Sequence, residues 1–244
     1  IYPTLKDLMP PAKHSPQALP IYVQIAELLT RDIVAGRLID GERLPPERDM
    51  ATELGVSVGT LRKALQGMTD KGLIERVQGS GNYIRADGDT GTVYAMFRLE
   101  LLNGGGLPRA QVLSVDLLNK PDDLPAFGTA KQGTRIRRLR SLNDTIMGVE
   151  EIWLDADAGL VRQATMSESL YATYRQNLGL WIQRAEDRVS LGAVPDWAPD
   201  TFTQCCGTTV GYIERFSWSD ASAPIEFSRT WFDPARAVYV QRLK

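Results

Sequence analysis

With 244 residues, 43% of them hydrophobic, the chain is long enough and apolar enough for two packed domains, which excludes general disorder. No stretch approaches the roughly 18 consecutive apolar residues that span a bilayer, and Ile1–Ser15, with Lys6, Asp7 and prolines, lacks a signal peptide's apolar run, so a soluble, cytoplasmic protein without membrane contact is expected. The net charge of −2 excludes coating of nucleic acid by bulk positive charge and leaves that task to a local basic patch.

Residues 1–18 read as a tail with too few apolar residues in register to assign an element. A first helix is expected over about Pro20–Ala35, because Ile21, Ile25, Leu28, Leu29 and Ile33 recur at helical spacing, Pro20 suits a first turn and Gly36 a left-handed stop. A second, over about Pro46–Leu54, opens on proline and closes at Gly55. Ser57 is a good N-cap for a third, in which Leu61, Leu65 and Met68 form one apolar stripe ending near Gly72. Only Gly55-Val56-Ser57 joins the second and third helices, the mark of a helix-turn-helix. Leu73–Val77 and Asn82–Arg85, around Gln78-Gly79-Ser80-Gly81, then read as a hairpin, a wing able to lay its tip along a phosphate backbone.

Thr60, Arg62 and Lys63 lie near the start of the third helix, away from its apolar stripe, where a recognition helix meets base edges and phosphates. Arg62 can contact guanine bidentately, Ser57 and Thr60 offer hydroxyls to phosphate, Arg48 can reach the backbone, and the amides of Gly79 and Gly81 can approach phosphates unobstructed. Taken singly, each is equally well a solvated helix-face group; the order helix, short turn, capped basic helix, glycine-tipped hairpin favours DNA. This segment closely resembles the DNA-binding domain of the GntR family of bacterial regulators. The resemblance rests on Gly41-Glu42-Arg43-Leu44-Pro45-Pro46-Glu47-Arg48-Asp49-Met50-Ala51, Leu54-Gly55-Val56-Ser57, Thr60-Leu61-Arg62-Lys63-Ala64-Leu65, Gly72-Leu73-Ile74 and the wing tip. It implies Arg48, Ser57, Thr60, Arg62 and Gly79 as DNA contacts. Pro46 stands where the family usually has serine, and Val58-Gly59 where an arginine commonly follows the serine, so one expected contact is missing and the operator differs accordingly.

Residues 86–92, without apolar period, read as a linker. Beyond it, Val112–Leu118, Thr134–Leu142, Met147–Leu154, Val210–Trp218 and Ile225–Phe232 are the best strands, antiparallel because tight turns at Asn143-Asp144 and Asp220-Ala221-Ser222 join them. Leu170–Leu178 is the clearest helix; Ala158–Met166 is expected to be helical, and Asp200–Phe202 to belong to another helix. The adjacent Cys205 and Cys206 close only a strained ring, which excludes a disulfide scaffold, and without spaced partners they are poor metal ligands, so buried thiols are expected.

Strand alternation puts Arg138 and Arg140 on one face, where two guanidinium groups repel unless an anion lies between them. The alternative is a surface pair matched by nearby carboxylates. Ser169 opens the Leu170–Leu178 helix, a position for an N-cap and for an anion. Glu150 and Glu226, on separate strands, can accept hydrogen bonds from a ligand or be ordinary surface carboxylates. A second resemblance, to the UTRA ligand-binding domain of the HutC subfamily, with a fold like chorismate lyase, rests on Arg138-Leu139-Arg140, Glu150, Ser169-Leu170-Tyr171 and Pro224-Ile225-Glu226-Phe227-Ser228. It implies that Arg138, Arg140 and Ser169 hold a ligand's anionic group, with Glu150, Tyr171, Glu226 and Trp231 around its body. Ile146 replaces the usual proline after the turn, and Pro121–Lys131 lacks a helix often found there, which leaves ligand identity open.

The fold class expected is therefore α+β: a tail (1–18), a winged helix-turn-helix (19–86), a linker (87–92) and an antiparallel-sheet effector domain of UTRA type (93–244). The function expected is a homodimeric repressor that binds double-stranded operator DNA and responds to a small anionic metabolite, a sugar phosphate, amino acid or carboxylate. No cofactor or metal is expected. An enzyme of lyase or hydrolase type using Glu150 and Glu226 is the alternative; a single histidine, His14, and no nucleophile–base set speak against it.

Overall fold

A computed structural model describes residues 19–34, 38–85, 96–166, 169–220 and 222–241. The expected tail, the linker, Gly36 and Ala221 lie outside them. Contacts divide the chain into two compact units, residues 1–107 with 239–244, and residues 108–238.

In the first unit, helices α1 (Ile21–Val34), α2 (Glu47–Glu53) and α3 (Val58–Asp70) precede the wing strands β1 (Ile74–Val77) and β2 (Gly81–Ile84) and a short strand β3 (Leu99–Leu101). The apolar period drives their packing: Ile25 and Leu28 of α1 and Leu61, Leu65 and Met68 of α3 are almost wholly buried in one cluster with Met50 of α2. Ser57 caps α3, its Oγ accepting the Thr60 N–H at 3.0 Å. The wing turns at Gly79 (φ +75°) and Gly81 (φ +138°), conformations that a side chain disfavours. Residues 41–44 run beside β2, with Leu44 N–H donating to Asn82 O and Arg43 bridging to Tyr83, a third edge of the wing that the sequence pattern does not announce.

The second unit is built on a six-stranded antiparallel sheet: β4 (Pro108–Asn119), β5 (Gln132–Leu142), β6 (Thr145–Asp155), β7 (Arg184–Ala193), β8 (Thr209–Trp218) and β9 (Glu226–Phe232), in the order β4-β5-β6-β9-β8-β7. Helix α4 (Leu170–Leu178) and a closing strand β10 (Ala237–Tyr239) complete the elements. The β5–β6 hairpin turns at Asn143, whose φ of +54° is the left-handed value such turns need.

Three expectations are corrected. Ala158–Met166 is not a helix; Gly159 (φ +135°) interrupts it, and only a single 3-10 turn forms at Gln163–Thr165. Asp200–Phe202 is a single turn closed by Phe202 N–H to Pro199 O, and no helix follows it before β8. Cys205 and Cys206 are exposed rather than buried, in the segment leading to β8. Strand β7 was not expected: an edge strand exposed along most of its length has no clean alternation to read.

Register then assigns faces, since directly paired residues point to the same side. Across β5, β6, β9 and β8, one face carries Arg138, Glu150, Thr230 and Ile213, with Leu154, Glu226 and Ser217 further along. The other carries Arg137, Glu151, Arg229 and Glu214, flanked by Trp153 with Phe227 and by Val149 with Trp231. Helix α4 covers the first face, because Tyr171 reaches Ser217 and Glu226 there.

Candidate functional site

In the first unit the sequence-predicted residues lie on α2, at the start of α3 and on the wing. Arg62 is exposed (65%) and its Nε donates to Glu47 Oε2 at 2.6 Å. Glu47 also receives Arg76 from the wing at 3.5 Å, and the hydrogen bond from Arg62 holds its carboxyl below the usual range. Glu47 thus ties α2, α3 and the wing through contacts water can reach. Thr60 Oγ1 and Ser57 Oγ share a hydrogen bond of 2.8 Å at the exposed N-terminus of α3. Lys63 stacks its ammonium 4.0 Å from the Tyr22 ring centroid, while Arg48 and Gly79 are exposed. At Gly81 an added Cβ would lie 3.1 Å from Arg43 Nε, which places Arg43, overlooked in the sequence, beside the wing tip.

In the second unit α4 and the sheet enclose a polar cluster. Arg138 (side chain 5% exposed) donates to Glu150 Oε2 from Nε at 3.1 Å and from Nη2 at 2.6 Å, and Arg140 Nε stands 3.8 Å from the same oxygen. The expected anion between the two arginines is therefore the chain's own Glu150. Burial opposes the charge on Glu150, but Arg138 and Arg140 outweigh it and hold the carboxyl below its ordinary value. Glu226, also on this face, is 1% exposed, and burial pushes its carboxyl up. Its Oε1 accepts from Ser217 Oγ at 2.8 Å and from Tyr171 OH at 3.1 Å. Burial and the nearby Glu226 charge raise Tyr171 and Tyr174, so both phenols stay protonated as donors. Ser169 is 2% exposed and caps α4 through Ala172 N–H at 3.3 Å.

Arg138, Arg140, Glu150, Tyr171 and Glu226 are thus gathered on one face, with Ser169 at the start of the helix above it. Trp231 is not brought to this cluster: five residues beyond Glu226 on the same strand, it points the other way and meets Trp197 edge-on at 5.8 Å. Arg215 and Ser217 belong to the cluster and were missed. Burial opposes the Arg215 charge, but two bonds to Asp187 (2.5 and 2.7 Å) more than compensate. The only sequence signal for them is an arginine and a serine alternating on a strand, which does not say which face is covered.

Among the described residues, no helix is long and apolar enough to cross a membrane. Residues 21–84 match the bacterial regulatory proteins of the gntR family, and residues 104–237 match the UTRA domain. The chain is 56% identical to the HTH-type transcriptional regulator SmoD of Agrobacterium fabrum, over 95% of this chain and 100% of that one. It is 25% identical to the HTH-type transcriptional repressor NagR of Bacillus subtilis, over 93% and 96%. The crystal structure of the possible transcriptional regulator YydK from Bacillus subtilis has a similar fold, with a TM-score of 0.51 at 20% identity, over 91% of this chain and 99% of that one. A helix-turn-helix head that binds DNA and a UTRA domain that binds an effector thus stand on one chain, which belongs to the GntR family of bacterial transcriptional regulators, HutC subfamily.

Proposed function

We propose that the protein is a homodimeric repressor whose affinity for double-stranded operator DNA is changed by a small anionic metabolite held between α4 and the sheet. One observation carries the effector half of this reading: two buried guanidinium groups converge on a single carboxylate oxygen of Glu150, at a spot that a carboxylate or phosphate oxygen of a ligand can take over. Arg138 and Arg140 supply the charge, Ser169 and the first amides of α4 a second set of donors, and Glu150, Tyr171 and Glu226 the hydrogen bonds that select the ligand's body.

The DNA half assigns Arg62 to base edges, Ser57, Thr60, Lys63 and Arg48 to phosphates, and Gly79 and Gly81 to the backbone approach of the wing. Dimerisation follows from reach, since one short recognition helix reads only a few base pairs and a tight operator needs two half-sites. The relative NagR is a repressor, which supports the same sign here. The head is assigned to residues 19–86 and the effector domain to residues 93–244. The ligand acts only by binding one dimer arrangement better than the other.

The test is a thermal-shift screen of the full chain against sugar phosphates, amino acids and small carboxylates, paired with operator binding across a salt series. An anion that raises the melting temperature, loses that effect in Arg138→Ala and alters operator affinity supports the reading. Stabilisation that survives Arg138→Ala removes the assigned anion site.

A further inference from the structure

The sheet face turned away from α4 carries a cavity of about 270 Å³. Its floor is the cross-strand row Arg137, Glu151 and Arg229, with Arg135 and Trp153 at one end and Trp231 at the other. Its rim is made by Pro121 and Asp123 after β4 and by Pro195, Asp196 and Trp197 after β7. The expected effector residues other than Trp231 all lie elsewhere, so this is a separate place on the same unit.

Its chemistry is specific. Glu151 accepts one bond at each oxygen, from Arg137 Nε at 2.8 Å and Trp153 Nε1 at 3.2 Å. Arg137 stacks 4.6 Å from the Trp197 centroid, which fixes that indole with its edge toward Trp231. Arg229 donates to Asp123 at 2.9 and 3.0 Å, and Arg135 to Asp116 at 2.9 Å.

What the cavity can take is decided by charge. Each arginine of the wall already has its own carboxylate, in Asp116, Glu151 and Asp123, and Asp196 adds another negative group. An anion gains nothing by entering such a wall, whereas a neutral molecule with several hydroxyls gains acceptor contacts from the arginines and donor contacts to the carboxylates. The indoles of Trp197 and Trp231 offer apolar surface to C–H groups. The volume lies just under the about 300–1,000 Å³ of drug-sized pockets, which suits one small ring.

We propose that this cavity is a second ligand site, for a neutral polyhydroxylated ring of monosaccharide size, distinct from the anion site under α4. Titration of the full chain with a panel of neutral aldohexoses and hexitols, followed by intrinsic tryptophan fluorescence, tests it. At least one member gives a saturable change, weakened about tenfold or more in Arg229→Gln and in Asp123→Ala. Asp123 is 66% exposed, so its variant keeps the fold. The response survives Arg138→Ala, which separates this site from the proposed effector site. No saturable response to any member of the panel overturns the proposal, as does a response unchanged in both cavity variants or lost in Arg138→Ala. A Trp197→Ala chain that changes oligomeric mass, with the parent showing no sugar response, makes the face a subunit interface and overturns it equally.

Discussion

The head and the effector unit each pair arginine with glutamate, and the two pairs behave as opposites. Glu47 meets Arg62 where water reaches both, the arginine 65% exposed; Glu150 meets Arg138 and Arg140 where the arginine side chains are 5% and 3% exposed. An exposed pair contributes little and breaks easily, so the proposed transfer of Arg62 from Glu47 to DNA costs little. A buried pair is held by its own desolvation: removing one member strands a charge, and only another anion relieves it. The proposed DNA surface and the proposed anion pocket have different requirements, and the burial of the same two residue types fits each.

The largest effect expected from breaking this comparison is at the buried member. Glu150→Ala leaves two buried guanidinium groups without this carboxylate and lowers stability by about 3–5 kcal/mol in urea unfolding; added phosphate recovers part of the loss, and failure of phosphate to do so counts against the anion site. Next comes Arg62→Ala, which costs about 1–3 kcal/mol of operator affinity and removes sequence preference while leaving the melting temperature and ligand-induced stabilisation intact. Fluorescence anisotropy on specific and scrambled duplexes reads it, and full operator affinity in the variant removes the recognition-helix assignment.

A smaller, pH-dependent effect belongs to Glu226. Burial raises its carboxyl in the folded state, so its contribution to stability is whole at acid pH, below the unfolded value, and is lost as pH rises through the folded one. Glu226→Gln therefore melts higher than the parent at neutral pH, by a margin that shrinks on acidification; a margin independent of pH contradicts the shift. Smallest is Glu47→Gln. Losing an exposed pair costs only about 0–1 kcal/mol, and releasing Arg62 and Arg76 strengthens operator binding at low salt, whereas weaker binding would show that Glu47 orients Arg62 rather than merely restraining it.

The head was legible because its signals are local. Ser57 caps, the Leu61-Leu65-Met68 stripe packs and Gly79 and Gly81 turn the wing, each needing only its chain neighbours. The place of Arg43 beside Gly81 is not legible in the sequence, because it depends on residues 41–44 docking against β2. In the effector unit the helix over 170–178 and the long strands were legible for the same local reason. The edge strand β7 was not, because a strand exposed along most of its length loses the alternation that identifies it. Trp231 could have been set apart from Glu226 by counting five residues along one strand.

What the sequence determined by itself is that Arg138 and Arg140 share a face, since a strand repeats every two residues. Which carboxylate meets them was decided only in three dimensions. The hairpin starts with Leu142 opposite Thr145 and Ser141 opposite Ile146, then shifts, so that Arg140 faces Gly148 and Arg138 faces Glu150. Without that bulge Arg138 would oppose Val149, and Glu150 would lie on the side of the sheet turned away from α4. One extra residue inverts every side chain beyond it, and pairing of this kind is fixed by how the two strands pack rather than by either strand alone.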